Sequence, residues 1–258
     1  MNSFDSKLTN SVIGVAGDWH GDLDWALKAL DVLAKESISK IIHLGDFGIL
    51  PDALGAEYIK FVSERLVRNK QELYVVPGNH EDYVQINSTP FSDDGTQLFA
   101  PNLAFLPRNF RWTWGGHKFV VLGGANSINY ESLTPNVSWW REEAITLGDL
   151  YNVANDGEAD VMFAHEAPSG VVPELSPSGW TYKALAYAEE SSALMLQAMH
   201  SVKPALFMHG HYHKYYDKQA IFNDGLAEYS SRIVGLDMNG HDNNLALLNV
   251  ETLELQVL

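Results

Sequence analysis

The chain reads as an α/β protein in which two facing β-sheets carry helices on their outer sides. Three features predict this. Up to His80, short apolar runs alternate with segments of helical period, the pattern of a mainly parallel sheet with crossover helices. From Asn102 onward, strand runs and a glycine-centred hairpin take over. Five of the apolar runs, moreover, stop abruptly at Asp, His or Asn, which gathers the polar residues of five strand exits on one sheet edge.

Val12 to Ala16 is the first strand, and it leads through Gly17-Asp18-Trp19-His20 to a helix whose apolar residues recur between Leu23 and Leu33. Asp22 stands before that helix as its cap. Ile41 to Leu44 is the second strand and runs into Gly45-Asp46; a helix over Ala56 to Arg68 follows, with Tyr58, Ile59, Val62 and Leu66 as its apolar stripe. Leu73 to Val76 is the third. It ends at Pro77-Gly78 and presents Asn79, His80, Glu81 and Asp82. Phe110 to Trp114 and Lys118 to Leu122 flank Gly115-Gly116 as a hairpin. The small residues of Gly123 to Tyr130 read as a loop, and Trp139 to Tyr151 predicts one helix with Arg141, Glu142 and Glu143 on its wet side. Val161 to Ala164 delivers His165, a Pro- and Ser-rich loop covers Ala167 to Gly179, and a helix runs from about Tyr182 to His200. The tail reads as antiparallel: Ala205 to His209, a run near Gln219 to Phe222, Arg232 to Leu236, and a hairpin of Leu245 to Val250 with Leu253 to Leu258.

With 258 residues, 46% of them apolar and 19% charged, the chain can bury a full core as a single domain, taken as residues 1–258. No apolar stretch approaches a membrane span, and the polar opening Met1 to Ser11 is unlike a signal peptide, so a soluble, unprocessed, cytoplasmic protein is expected. Cysteine is absent, which excludes disulfides, thiolate zinc sites and cysteine nucleophiles and leaves oxygen and nitrogen to hold any metal. Against 33 acidic residues stand 17 basic ones, a net charge of −16 with no basic patch, so non-specific nucleic-acid binding is not expected.

Residues two apart on an extended strand point to one side. On that basis Asp18 with His20, and His211 with His213, each direct two ligands at one region, while Trp19 and Tyr212 between them turn away and pack. Asp46, alone at its strand exit, is the carboxylate placed to bridge two cations.

Taken together, Asp18-Trp19-His20, Gly45-Asp46, Gly78-Asn79-His80-Glu81, His165 and Gly210-His211-Tyr212-His213 resemble the calcineurin-like metallophosphoesterase superfamily, whose blocks D-x-H, G-D, G-N-H-[DE], H and G-H-x-H occur in this order. The resemblance implies a four-layer αββα sandwich and two divalent metal ions. By matching position, Asp18, His20, Asp46 and His213 would hold the first, and Asp46, Asn79, His165 and His211 the second. His80 would be the catalytic histidine beside the metals. Two divalent cations facing Asp18 and Asp46 leave roughly two positive charges, enough to hold a phosphate and acidify a bridging water that attacks phosphorus in line. His80 then protonates the departing oxygen or stabilises its charge. The mixed donors suit Mn, Fe, Zn or Ni.

The expected substrate is therefore a small phosphomonoester or phosphodiester, with Mn²⁺ as the first metal to supply. Serine/threonine protein phosphatases and the symmetrical dinucleoside-tetraphosphate hydrolases extend the second block to G-D-x-x-D-R, and here Ile49 and Leu50 stand at those positions. The protein phosphatase remains an alternative, as does a non-catalytic scaffold of the same fold. Glu81, Asp82 and Asp52 are the acids considered for orienting His80, and Arg108, Arg111 and Arg141 those considered for clamping phosphate. His43, His117, His200, His209 and His241 are assigned structural roles, as are Trp112, Trp114, Trp139 and Trp140; Asn126 is read as a turn residue, and Tyr83 as a residue of the cleft or the core. Substrate choice is placed in the Gly123 to Ser138 and Ala167 to Gly179 loops.

Overall fold

The computed structural model of the protein describes residues 3–173 and 178–258, so part of the Ala167 to Gly179 loop, and the first residues of the polar opening, lie outside the described residues. The elements run β1 (Val12–Ala16), α1 (Leu23–Lys35), β2 (Lys40–His43), α2 (Ala53–Asn69), β3 (Glu72–Val75), α3 (Tyr83–Ser88), β4 (Gln97–Ala100) and β5 (Leu103–Phe105). There follow β6 (Arg111–Trp114), β7 (His117–Leu122), α4 (Leu147–Asn155), β8 (Val161–Ala164), α5 (Tyr182–Val202) and β9 (Leu206–His209). The chain closes with β10 (Tyr216–Asn223), β11 (Glu228–Gly235), β12 (Leu245–Asn249) and β13 (Leu255–Val257).

The strands form a seven-stranded sheet, β13-β12-β1-β2-β3-β5-β4, and a six-stranded one, β10-β11-β9-β8-β7-β6. Both are mixed. β1, β2, β3 and β5 are parallel neighbours in the first, and β11, β9, β8 and β7 in the second, with antiparallel strands outside them.

Alternate residues of the central strands serve two cores. Ile13, Val15, Ile42, Tyr74 and Val76 meet Phe119, Val121, Phe163 and Met208 between the sheets. The intervening Ile41, Leu73 and Val75 pack under Leu30 and Leu33 of α1 and Val62 and Leu66 of α2. On the far side Val120, Met162 and Phe207 face Val153 of α4 and Met195, Met199 and Val202 of α5. Strands covered on both faces need apolar residues at every position, which is why they read as unbroken apolar runs. The outcome is four layers, αββα. Among the described residues, no helix is long and apolar enough to cross a membrane.

Helix starts follow local chemistry: Asp22 accepts the Trp25 N–H and Asp52 the Gly55 N–H, each relieving an orphan donor of the first turn. Three expectations need correction. The Trp139 to Tyr151 segment is not one helix; a short 3₁₀ turn at Arg141–Glu143 precedes an extended Ala144, and α4 begins only after Thr146, which forms a capping box with Asp149. Glu143 is fully buried instead of lying on a wet side. The tail is not wholly antiparallel, because β9 pairs in parallel with both β8 and β11. The sequence carries no clear mark of the elements between Tyr83 and Phe105, since α3 is a turn and a half and β4 and β5 are short and carry no clean alternation.

Candidate metal centre

The parallel strands β1, β2 and β3 of one sheet and β8 and β9 of the other all release their chains toward one edge, as open parallel sheets do at their carboxyl ends. The polar residues then gather through turns. His20 (φ 49°), Asp46 (φ 52°), His211 (φ 69°) and His213 (φ 49°) are all left-handed, so the extended-strand argument for the two pairs does not hold. Asp18 and His20 nevertheless share one cluster, whereas His211 and His213 serve different ones. Each such residue stores about 1–3 kcal/mol of strain, which the surrounding packing must offset. Trp19 does pack, fully buried with Nε1–H donating to Asn244, and Tyr212 donates its hydroxyl to Glu166.

Asp46 sits in the middle. Its Oδ2 lies 3.5 Å from His20 Nε2 and its Oδ1 3.3 Å from His165 Nε2, while the His80 N–H donates to Oδ1 at 2.9 Å. Asp18 accepts the His211 N–H at 3.0 Å and places Oδ2 3.2 Å from His213 Nε2. Donor atoms of Asp18, His20, Asp46 and His213 all lie within 4.8 Å of one another, and so do those of Asp46, His165 and His211. Asn79 joins the second group, its Oδ1 2.9 Å from His165 Nε2. Both clusters offer the oxygen and nitrogen donors that a divalent transition ion takes, so these residues can hold a metal ion. Close approach is possible because two neighbours are glycine: a Cβ at Gly78 would overlap the Asp46 carboxylate, and one at Gly210 that of Asp18.

Burial lowers the pKa of His20, but the hydrogen bond and charge of Asp46, with the charge of Asp18, outweigh it and hold the imidazole up to about 9. His165 is likewise raised: burial opposes, and the Asp46 and Asp18 charges prevail. For Asp46 burial pushes up, yet the histidines around it keep the carboxyl well below its usual range.

A second set of side chains aims these groups. His20 Nδ1 lies 3.0 Å from Asn239 Oδ1, and Asn239 Nδ2 donates to Asp22, the α1 cap. His165 donates Nδ1–H to the Leu44 carbonyl at 2.8 Å, which turns Nε2 toward Asp46. Asn79 Nδ2 donates to Ser127 Oγ at 2.9 Å, and Ser127 to Glu143. Sequence reasoning missed Asn239, Ser127 and Glu143, because no local pattern marks a residue whose partner is so far along the chain.

The His80 ring stands outside both clusters, 6.0 Å between centroids from His20, and among the described residues none hydrogen-bonds it. None of the three acids considered for it serves. Glu81 accepts the Phe47, Gly48 and Gly78 N–H groups, Asp82 caps α3, and Asp52 caps α2. Two of the arginines are also committed elsewhere. Arg108 donates to four backbone carbonyls and Asp149, and Arg111 to the Val153 and Gly157 carbonyls. Arg141 is exposed and borders, with Pro77, Tyr83 and Arg108, a cavity. Tyr83 is buried and donates to the Gly78 carbonyl; Asn126 ties its loop to α5 through the Tyr187 carbonyl. His209 is held between the Gly210 carbonyl and Tyr216, a structural place. Trp112, Trp114 and Trp140 are core, whereas Trp139 is half-buried and donates to Glu143.

A family model described as calcineurin-like phosphoesterase matches residues 11–215, the span that holds every block of the site. The chain belongs to that family. Membership implies divalent metal ions and suggests a phosphoesterase hydrolase, in a family that also includes non-catalytic members. Among curated proteins, none matches the chain. Solved structures similar in fold to this calcineurin-like phosphoesterase include the following two. TT1561 of Thermus thermophilus is 14% identical, with 95% of this chain and 96% of that one covered and a TM-score of 0.54. A dimetal phosphatase from Danio rerio is 16% identical, with 92% of each chain covered and a TM-score of 0.55.

Proposed function

We propose that the chain is a dinuclear metal-dependent phosphoesterase acting on a small phosphomonoester or phosphodiester. The observation that carries this reading is the sharing of Asp46 by both donor clusters, as a site for two neighbouring cations would require. Asp18, His20, Asp46 and His213 would hold one cation, and Asp46, Asn79, His165 and His211 the other. When bound, the pair supplies Lewis acidity, acidifies water at neutral pH and retains roughly two positive charges to attract a phosphate ester.

The chain's own residues do the rest. Leu44 and Asn239 fix the tautomers of His165 and His20. His80, anchored by its N–H to Asp46 with its ring free of both clusters, supplies the proton or the charge stabilisation for the departing oxygen. A net charge of −16 favours a small ester over a polyanion, and Ile49, fully buried, has no acid to offer at the place where protein phosphatases carry one. The test is turnover of p-nitrophenyl phosphate and its bis ester with Mn²⁺, Fe²⁺, Zn²⁺ or Ni²⁺ supplied. Hydrolysis of at least one ester is expected. Fully metallated protein that turns over neither would leave the non-catalytic scaffold as the better reading.

A further inference from the structure

Glu143 is a buried carboxylate with no part in either donor cluster. Its Oε1 accepts the Ser127 N–H at 2.7 Å, the Trp139 Nε1–H at 2.9 Å and the Tyr187 hydroxyl at 3.2 Å, and its Oε2 accepts the Ser127 hydroxyl at 2.7 Å. A serine hydroxyl has one proton. With that proton given to Glu143, Ser127 Oγ can only accept, so the group 2.9 Å away on Asn79 must be its NH₂. An amide whose nitrogen is committed on one side turns its oxygen to the other, here 2.9 Å from His165 Nε2.

We infer that Glu143, acting through Ser127, sets the polarity of the Asn79 amide and so makes Asn79 an oxygen ligand of the second cation. The inference rests on the dinuclear reading above. Glu143 touches no ligand and is a positioning residue. Burial raises its carboxyl to about 7, against the Ser127, Trp139 and Tyr187 hydrogen bonds that favour the charged form, and above that value the polarity argued here applies.

The near-isosteric Glu143→Gln makes the relay testable. Three donors meet at the Oε1 position, so the glutamine oxygen must take it, leaving NH₂ at the Oε2 position. That NH₂ donates to Ser127, whose proton then turns to Asn79, and the amide flips to present nitrogen to the cation. Asn79→Asp removes the problem, since a carboxylate offers oxygen on both sides. Ser127→Ala frees the amide without inverting it.

The experiment is calorimetric titration of metal-free protein with Mn²⁺. In Glu143→Gln one of two Mn²⁺ sites should weaken by roughly 10–100-fold, the other being kept. Ser127→Ala should weaken the same site less. The double variant Asn79→Asp/Glu143→Gln should recover it. Two sites of wild-type affinity in Glu143→Gln overturn the inference, as does weakening that Asn79→Asp fails to rescue, which marks a merely structural role. Should Glu143→Gln not fold, unchanged Mn²⁺ affinity in Ser127→Ala overturns it instead. Wild-type protein that binds fewer than two Mn²⁺ removes the dinuclear reading and this inference together, an outcome distinct from a wild type with two sites and an unaffected variant.

Discussion

Asp46 and His165 approach to 3.3 Å at the edge where the two sheets meet, one released from β2 and the other from β8. Both are buried, so the histidine holds the aspartate ionised and the aspartate holds the histidine charged. The same carboxylate turns its second oxygen to His20.

Asp46→Asn keeps the shape of that side chain and removes its charge from both clusters. Metal content by plasma mass spectrometry should fall below that of wild type, and hydrolysis of the bis ester should drop by roughly 10²–10³-fold. Wild-type metal content and rate in this variant would remove Asp46 from the centre.

His80→Ala separates chemistry from metal binding. Turnover should fall by roughly 10²–10⁴-fold, the range for a lost general acid, at unchanged metal content. Release of metal would instead place the His80 ring among the ligands.

Arg108→Ala asks whether that arginine braces the loop or grips phosphate. It donates to the Gly123, Glu142, Glu143 and Ala144 carbonyls and to Asp149. Leaving those acceptors unpaired should cost about 3 kcal/mol in urea unfolding. KM should stay within about two-fold of wild type. A large rise in KM at unchanged stability would restore the clamp.

Glu143 should also write a slope into stability. Burial pushes its carboxyl from the usual 4.5 up to about 7, so between those values the folded protein binds more protons than the unfolded one. Stability therefore falls as pH rises through that window, by about 3 kcal/mol, being fully present below it. Tyr83 and Tyr187, which face Glu143, are pushed above their usual range and do not titrate there. Urea unfolding of metal-free protein at about pH 5 and about pH 8 should show a flatter slope in Glu143→Gln than in wild type. Parallel slopes would mean that Glu143 is charged throughout.

Residues of the site were readable where the signal is local. An apolar run that stops at a breaker or at a polar side chain marks a strand exit, and Asp18, His20, Asp46, Asn79, His80, His165, His211 and His213 all stand at such exits, His165 ending its run by itself. The αββα layers were readable for a similar reason: periods of 2 and 3.6 record which faces are covered. Asp22 announced α1 because a cap bonds within one turn.

Other features had no local mark. The charged run Arg141-Glu142-Glu143 looks solvated, yet Ser127, Trp139 and Tyr187 bring enough donors to Glu143 to bury it and to end any helix there. Arg108 reads in the sequence as a candidate phosphate clamp, but the carbonyls of the Glu142 to Ala144 turn take its guanidinium. Asn239 meets His20 only because β12 pairs with β1 and so brings the segment between β11 and β12 beside it. Period and breakers are properties of neighbouring residues, so one strand of sequence suffices to state them. Whether a charge is buried, and which way an amide or imidazole points, depends on donors and acceptors from segments far along the chain, and folding alone brings those together.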